Sequence, residues 1–402
     1  MAQSHVRCCI AGGGPAGIMA GLLLARAGID VLVLEKHADF LRDFRGDTVH
    51  PSTLDVLAEL GLLDDFLRRP HQELTRIRAF IEGEEVTLAD FRHVPSRLKL
   101  IAFMPQWDFL SFLVDRAQRF PRFALRMQTE AVDLLRSGSR IRGVRARTPE
   151  GEIDVNADLV IAADGRTSVL RDRAGLRVRD LGAPMDVLWL RLPRQDDDPR
   201  ESLGWVRRGR FLVLIDRGDY WQVGVVIPKG GFESVRAAGL EAFRRDLAAT
   251  APLLANRVDR LQSFDDVKLL VVRVDRLQRW WLPGLLCIGD AAHAMSPIGG
   301  VGINLAIQDA VAAAGLLADA LRRGPPPDSD LARVQRRRSP PARATQAIQV
   351  AIQKRVIDRV LTAEGPVRVG RAFKLIDRIP VLQRIPAYII GVGVRPERVT
   401  PA

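Results

Sequence analysis

Cysteine is scarce in this chain, and the spacing of its few cysteines excludes the usual metal sites. The 402 residues contain three cysteines, Cys8, Cys9 and Cys287. Zinc sites need cysteines and histidines at short regular intervals, and neither the adjacent pair nor the distant third cysteine provides them. All three fall in short apolar runs that predict buried strands. We therefore expect no metal, and we expect small core thiols in a reducing compartment, the cytoplasm.

Long apolar runs and nucleic-acid motifs are missing as well. No uninterrupted apolar run reaches the ~20 residues that a transmembrane helix needs. A glycine-rich loop begins almost at the N-terminus, which leaves no room for a signal peptide. The formal net charge is +12, but the arginines are scattered and lie largely beside acids. We expect no nucleic-acid partner, while attraction of an anionic lipid or a phosphorylated cofactor to the basic surface stays open.

A glycine-rich loop follows the first apolar run, which extends from Val6 to Ala11. The loop fits G-x-G-x-x-G and reads Gly12-Gly13-Gly14-Pro15-Ala16-Gly17. Its first glycine permits a tight turn, the second lets a pyrophosphate approach the backbone, and the third allows close helix–strand contact. The helix predicted from Pro15 to Ala27 directs its N-terminal amides at the phosphates. The predicted cofactor contacts here are Gly12, Gly14, Pro15, Ala16 and Gly17.

An acidic residue follows at the distance expected of a dinucleotide site. A strand predicted from Asp30 to Leu34 completes the start of a βαβ unit and ends at Glu35. In such sites an acid about 20 residues after the loop binds a ribose hydroxyl. We expect Glu35 to bind the adenosine ribose through its carboxylate, and we include the neighbouring Lys36 among the cofactor contacts.

A second loop of this kind, far downstream, points to flavin. An apolar strand from Leu285 to Ile288 is followed by Asp290, then by Pro297 and a glycine-rich turn that opens a helix. An acid in this place can accept hydrogen bonds from a polyol such as ribityl. The turn lets backbone amides approach a flat ring or a phosphate closely.

Taken together, these motifs resemble the group A flavoprotein monooxygenases, the family of p-hydroxybenzoate hydroxylase. Three matches lie in the family's order and at its separations: the Gly12 loop, the run Ala163-Asp164-Gly165-Arg166-Thr167-Ser168, and Gly289-Asp290-Ala291-Ala292-His293. The resemblance covers about residues 5 to 322. It implies FAD as the cofactor and NADPH or NADH as a transient reductant. The sequence has no second Gly-loop unit after a strand, so a separate NAD(P)H domain is not indicated.

The resemblance also implies where the flavin lies. Asp290 would contact the ribityl or the pyrophosphate, and Asp164-Gly165 would serve both FAD and NAD(P)H. Arg45 and Gln106 match residues that reach the flavin side and the ribityl chain, although a surface or capping role stays open for each. The residues implied to lie against the isoalloxazine are Pro297, Gly300, Val301, Gly302, Ile303 and Asn304.

The chain is predicted to be an α/β protein in which a Rossmann-like FAD-binding lobe is interrupted by a sheet lobe. From about 180 to 275, short alternating segments predict an antiparallel sheet. We assign the FAD-binding lobe to residues 1–72, 105–178 and 276–322, the substrate-binding sheet lobe to 73–104 and 179–275, and a helical C-terminal segment to 323–402. Prolines at 325–327 and 340–341 predict a loop-rich stretch within that last segment.

The substrate site carries weaker signals. His50 is a candidate substrate contact or base, and packing near a helix start explains it equally well. His293 more simply orients its loop. Four aromatic residues of the sheet lobe could wall an aromatic pocket or simply form sheet core, namely Trp205, Phe211, Tyr220 and Trp221. The apolar, basic segment 372–391 is expected to pack on the cofactor lobe or in a dimer, with docking on a membrane as an alternative.

The implied function is hydroxylation. The family reduces FAD with NAD(P)H, forms a flavin C4a-hydroperoxide with O2, and hydroxylates an aromatic or phenol-like small molecule. A larger quinone or polyketide-like substrate is the alternative within this chemistry. A flavin-dependent reductase that inserts no oxygen is the alternative outside it. The expected partners are the small aromatic substrate and O2, in a monomer or a homodimer.

Overall fold

The computed structural model describes residues 4–41, 48–199, 201–363, 365–367 and 370–399. Its strands are β1 (Ser4–Ala11), β2 (Val31–Leu34), β3 (Thr48–Val49), β4 (Gln72–Leu74), β5 (Arg76–Ile81), β6 (Glu84–Asp90), β7 (Ile101–Phe103), β8 (Phe123–Arg126), β9 (Glu130–Ser137), β10 (Arg140–Thr148), β11 (Gly151–Ala162), β12 (Val178–Asp180), β13 (Met185–Pro193), β14 (Leu203–Arg207), β15 (Arg210–Asp216), β16 (Tyr220–Pro228), β17 (Lys268–Leu270), β18 (Asp275–Leu277), β19 (Trp281–Leu282), β20 (Leu285–Cys287) and β21 (His293–Ala294). Its helices are α1 (Pro15–Arg26), α2 (Pro51–Glu59), α3 (Leu63–Leu67), α4 (Gln106–Ala117), α5 (Val169–Arg173), α6 (Phe232–Ala238), α7 (Leu240–Thr250), α8 (Gly302–Arg323), α9 (Asp328–Ile352), α10 (Asp358–Leu361), α11 (Arg371–Arg378) and α12 (Pro380–Gly391).

The first strand lies inside an eight-stranded sheet of order β19-β20-β11-β1-β2-β8, with β10 and β9 added beside β11. β1 pairs in parallel with both β2 and β11, and β20 continues the parallel set. All four residues of β2 are buried, as expected for apolar strands without polar alternation. Because parallel strands share one carboxyl edge, the loops after β1, β11 and β20 meet there.

Two apolar helices pack together beside this sheet. α1 contacts α8 and α4. The stretch Ile298–Arg323, which contains α8, is long and apolar enough to span a membrane, but 83% of its most apolar window is buried inside the protein. Its apolar character is therefore explained by its place in the core of the larger lobe.

The sheet lobe is a seven-stranded sheet of order β17-β13-β16-β15-β14-β5-β6. Its pairs are antiparallel apart from the parallel pair β14–β5, which joins the early segment to the later one. The prediction of sheet throughout 180–275 is wrong at 232–250, where α6 and α7 are helical. Phe243 and Leu247 of α7 are spaced one helical turn apart and are buried against one face of the sheet. This spacing lets a helix, rather than a strand, bury both side chains on the same side.

The prediction of a loop-rich stretch between residues 325 and 341 is also wrong from Asp328 onward, where α9 begins. α9 runs through both Pro340 and Pro341. An interior proline removes a backbone hydrogen bond and crowds the preceding turn, so the sequence favours a break. The helix persists because it packs on α8, where Leu331, Val334 and Arg338 are at most 1% exposed. Tertiary packing here overrides local propensity.

Candidate functional site

The Gly12 loop lies against the loop that follows β11. Gly12 has φ +109°, and a β-carbon on it would collide with the carbonyl oxygen of Ala163. A β-carbon on Gly17 would collide with the carbonyl oxygen of Gly12. Gly14, by contrast, has no atom within 4 Å of its β-carbon position, and α1 begins directly after it at Pro15. The loop is therefore tight on its inner side and open at the N-terminus of α1, where its amides can meet an anion.

Glu35 is fixed at the edge of this loop. Its carboxylate accepts hydrogen bonds from the Gly13 amide at 2.8 Å and from the His37 amide at 3.1 Å. The side chain is 9% exposed, whereas the neighbouring Lys36 is exposed. The structure thus brings the predicted ribose-binding acid to the glycine loop.

Asp164 uses its carboxylate inside the protein. One oxygen accepts from the Ser168 hydroxyl and the other from the Leu170 amide at 3.2 Å, so Asp164 helps to cap α5. Burial raises the pKa of Asp164 above its usual range despite these hydrogen bonds. The backbone of this residue also borders Gly12. The Asp164-Gly165 turn therefore packs directly against the glycine loop.

Asp290 lies in the loop after β20, within reach of the first loop. Its carboxylate is 3.2 Å from the Arg166 guanidinium and is partly exposed. A β-carbon on Gly289 would be 3.1 Å from the β-carbon of Ala16, which measures how closely the two loops approach. Predicted contacts that are far apart in sequence are thus brought together.

A buried charge network beneath this loop escaped the sequence analysis. Asp309 of α8 accepts from the Gly289 amide at 3.0 Å, pairs with His293 at 2.6 Å, and pairs with Arg338 at 3.0 Å. Arg338 also reaches Glu397 at 3.2 Å. Burial alone would raise the pKa of Asp309, but His293 and Arg338 bring it below its usual range.

The turn before α8 is held from several sides. Thr48 donates its hydroxyl proton to the Gly300 carbonyl at 3.0 Å. Gln349 of α9 accepts from the Ser296 amide and donates to the carbonyls of Ser296 and Ile298. The turn leaves an open space at the β-carbon position of Gly302, the first residue of α8.

His50 lies beside this turn and is fully buried. Its Nδ1 atom is 2.7 Å from the carbonyl oxygen of Ile390, so Nδ1 carries the proton and donates. Its Nε2 atom has no hydrogen-bond partner in the described part of the chain. That atom is 3.4 Å from the position of a β-carbon on Gly300. Burial lowers the pKa of His50 to about 4, and the neutral ring presents a hydrogen-bond acceptor beside the turn.

Asn304 supplies the complementary group. Its Oδ1 atom accepts from the His50 amide at 3.1 Å and from the Thr53 hydroxyl at 2.6 Å. Its Nδ2 atom has no partner among the residues described, although the side chain is buried. Buried polar atoms are nearly always satisfied in folded proteins. An open donor and an open acceptor near one turn therefore fit a ligand that carries both kinds of group, as the flavin ring does.

Gln106 and Arg45 were also predicted to contact the cofactor. Gln106 begins α4 behind Pro105 and is half-buried. Arg45 lies outside the described residues. Neither position adds a measured contact to the site.

The four aromatic residues predicted to wall a pocket are divided between the two faces of the seven-stranded sheet. Trp221 is buried against α7 and donates its indole proton to Asp198 at 2.8 Å, and Trp205 packs on the same side. Phe211 packs on the opposite side with Ile298 of the turn. Tyr220 alternates with Trp221 along β16 and carries Arg191 over its ring at 5.1 Å. Because neighbouring strand residues point to opposite faces, the four residues do not share one face of the sheet.

Trp189 was missed, although it is an aromatic residue of the face that packs toward the turn. It lies in β13 and packs with Val226, and a β-carbon on Gly224 would be 2.8 Å from its ring. The alternation of Leu188 and Leu190 into the opposite core could have identified it. Phe211, Trp189 and Tyr220 therefore lie on the face of the seven-stranded sheet opposite to α7.

Comparison with known proteins adds sequence relatives. A family described as FAD binding domain matches residues 5–349. The 6-methylpretetramide 4-monooxygenase of Streptomyces rimosus is 34% identical over 392 residues, which cover 95% of this chain and 92% of that protein. The dialkyldecalin synthase of Streptomyces rugosporus is 25% identical over 388 residues, which cover 95% of this chain and 78% of that protein.

A solved structure shows the same fold. The OxyS anhydrotetracycline hydroxylase of Streptomyces rimosus matches with a TM-score of 0.75 at 24% identity, covering 96% of this chain and 76% of that chain. The predicted α/β architecture, with a sheet lobe and a helical C-terminal segment, is confirmed.

Proposed function

This chain is an FAD-dependent monooxygenase of the aromatic hydroxylase family, and from that membership we propose that it uses NAD(P)H and O2 to hydroxylate an aromatic, phenol-like ring. In the balanced reaction, substrate, O2, NAD(P)H and a proton give hydroxylated substrate, NAD(P)⁺ and water. The observation that carries the proposal is the approach of the Gly12 and Gly289 loops, with 3.1 Å between the β-carbon of Ala16 and that of a residue at 289.

We assign the FAD contacts from this geometry. The pyrophosphate would lie over Gly14 at the N-terminus of α1, and the adenosine ribose beside Glu35. The ribityl chain would lie near Asp290 and Gln106, and the isoalloxazine against residues 297–304. The open space at Gly14 and the unpaired atoms of His50 and Asn304 support this assignment. When bound, FAD supplies hydride acceptance and oxygen activation.

The protein supplies orientation and exclusion of water. His50 is neutral over the physiological range because burial lowers its pKa to about 4. A neutral ring with its proton on Nδ1 can accept a hydrogen bond at Nε2. Its lowered pKa, however, makes it a weak base. We therefore propose that His50 orients the flavin or the substrate rather than acting as the general base.

The substrate would lie between the turn before α8 and the face of the seven-stranded sheet that carries Phe211 and Trp189. Phe211 and Ile298 pack in one cluster there, so the sheet and the turn approach each other. The relative named a 6-methylpretetramide 4-monooxygenase and the structure named an anhydrotetracycline hydroxylase support a polycyclic, polyketide-like aromatic compound as the form of that substrate. The buried free thiols at Cys8, Cys9 and Cys287 fit a reducing cytoplasm.

The test uses purified protein reconstituted with FAD. Phenolic and polycyclic aromatic compounds are screened for stimulation of NADPH and NADH oxidation, and products are analysed by mass spectrometry under ¹⁸O2. A product that gains one labelled oxygen supports the proposal. Stimulated oxidation that gives only peroxide for every compound would count against hydroxylation. Conversion of a substrate without oxygen uptake would favour the alternative of a flavin-dependent reductase that inserts no oxygen.

A further inference from the structure

The last helix turns an apolar face to the outside. In α12, Val381, Ile385 and Tyr388 are 66%, 57% and 42% exposed, and their spacing places them on one face. The opposite face, with Gln383 and Ala387, is buried toward β6. A helix on a water-facing surface normally shows the reverse pattern, with polar residues outward.

The preceding helix extends the same surface. Leu375 of α11 is 53% exposed and Ile379 between the helices is 41% exposed. We call this surface the apolar ridge, and it consists of Leu375, Ile379, Val381, Ile385 and Tyr388. Five of the ten exposed large apolar residues in the described part of the chain lie in it. Such a concentration marks an interaction surface.

Cations accompany the ridge. Arg378 and Arg384 are exposed, and neither has a carboxylate partner within the described ranges. Lys374 is also exposed and is 3.4 Å from Glu84. The acid of this stretch, Asp377, is half-buried and accepts from the Thr87 amide at 2.8 Å. The outward surface therefore combines apolar side chains with unpaired positive charge.

The combination of apolar side chains and positive charge indicates which partner can cover the ridge. A second copy of the chain, packed about a two-fold axis, would set each cationic ridge against the same cations and repel them. The described tail beyond α12 does not cover the ridge either, because Glu397 is bound to Arg337 and Arg338. We propose that the apolar ridge docks on the surface of an anionic lipid bilayer. Apolar residues then enter the interface while the arginines pair with lipid phosphates.

The location of the ridge gives the docking a consequence. α12 also contains Ile390, whose carbonyl holds His50, and Ile390 is within 3.6 Å of a β-carbon position on Gly299. Lipid docking would set this side of the site against the bilayer, where apolar substrates concentrate. The inference extends beyond the proposed function and does not depend on it, since vesicle binding requires no turnover.

The test is co-sedimentation of the full-length, FAD-loaded protein with vesicles. One set contains phosphatidylcholine alone and the other about a third phosphatidylglycerol. We expect binding to the anionic set, weakened by salt. The double variant Val381→Ser with Ile385→Ser should bind about tenfold more weakly. The pair Arg378→Gln with Arg384→Gln should lose about tenfold on the anionic vesicles.

The matched control changes two equally exposed apolar residues of the other lobe. Leu269→Ser with Val271→Ser, at 42% and 44% exposure, should bind vesicles as the parent does. FAD content and circular dichroism show whether each variant is folded. Failure of the parent to sediment with anionic vesicles, or equal binding by the ridge variants, overturns the proposal. So does a parent dimer in sedimentation velocity that Ile385→Ser dissociates without any vesicle binding. A failed substrate screen leaves this result unaffected.

Discussion

The Nδ1 atom of His50 lies 2.7 Å from the carbonyl oxygen of Ile390, which is 340 residues further along the chain. This hydrogen bond fixes the tautomer of the ring, because the carbonyl can only accept. It also makes the C-terminal helix part of the site, since Nε2 is left facing the Gly300 turn.

Removal of the His50 acceptor should weaken flavin binding. In His50→Leu the open acceptor is lost and the Ile390 carbonyl loses its donor, so we expect the Kd for FAD to rise about tenfold or more. Quenching of FAD fluorescence measures the affinity. His71→Leu is the control, because His71 makes a 2.7 Å contact with a carbonyl oxygen, that of Arg69, in another part of the structure. An unchanged FAD affinity in His50→Leu would exclude the flavin as the partner of His50.

The pH dependence of stability should also report on His50. Its folded-state pKa is about 4, below the ordinary value of 6.5, so the unfolded chain binds the proton more readily. The stabilisation is complete above pH ~6.5 and is lost as the pH falls towards 4, to a total of about 3 kcal/mol. Urea unfolding of the parent and of His50→Leu between these limits measures it. The stability difference between the two proteins should shrink as the pH falls, and a constant difference would contradict the lowered pKa.

Asp309 should be essential for the fold around the Gly289 loop. Asp309→Asn removes the buried charge that holds His293 and Arg338, both at most 1% exposed, and leaves the Arg338 guanidinium with Glu397 as its remaining carboxylate partner among the described residues. We expect a loss of about 3–5 kcal/mol in the free energy of unfolding. Asp319→Asn, on the same helix but 80% exposed, should change it by less than ~0.5 kcal/mol. Similar unfolding midpoints for the two variants would refute this assignment.

Asp290 should matter for retention of FAD more than for stability. Its carboxylate is partly exposed and pairs with Arg166, so Asp290→Ala leaves the core intact. We expect less FAD to co-purify after gel filtration, with an affinity about tenfold weaker. Asp172→Ala, 71% exposed, is the matched surface control. If Asp290→Ala keeps the parent flavin content, the ribityl assignment is wrong.

The parts of the site that follow from neighbouring residues were predictable. The Gly12 loop, α1 and Glu35 lie within one βαβ unit, where spacing alone defines the geometry. The pairing of His50 with Ile390 and of Asp309 with Arg338 joins distant segments, and a single sequence carries no signal for such contacts. The prediction of a loop near Pro340 and Pro341 failed for a related reason. The burial of Arg338 against Asp309 and Glu397 outweighs the local preference of proline for a helix break.

The network that runs from Asp309 through Arg338 to Glu397 has a consequence for biosynthesis. A ribosome delivers the Gly12 loop early, but Ile390 and Glu397 emerge about 380 residues later, at chain elongation rates of about 5–20 residues per second. The nascent chain can therefore form its parallel sheet before the groups that hold the turn before α8 have been synthesised. We therefore expect stable binding of FAD to be a late event, completed after α12 and the residues that follow it have left the exit tunnel.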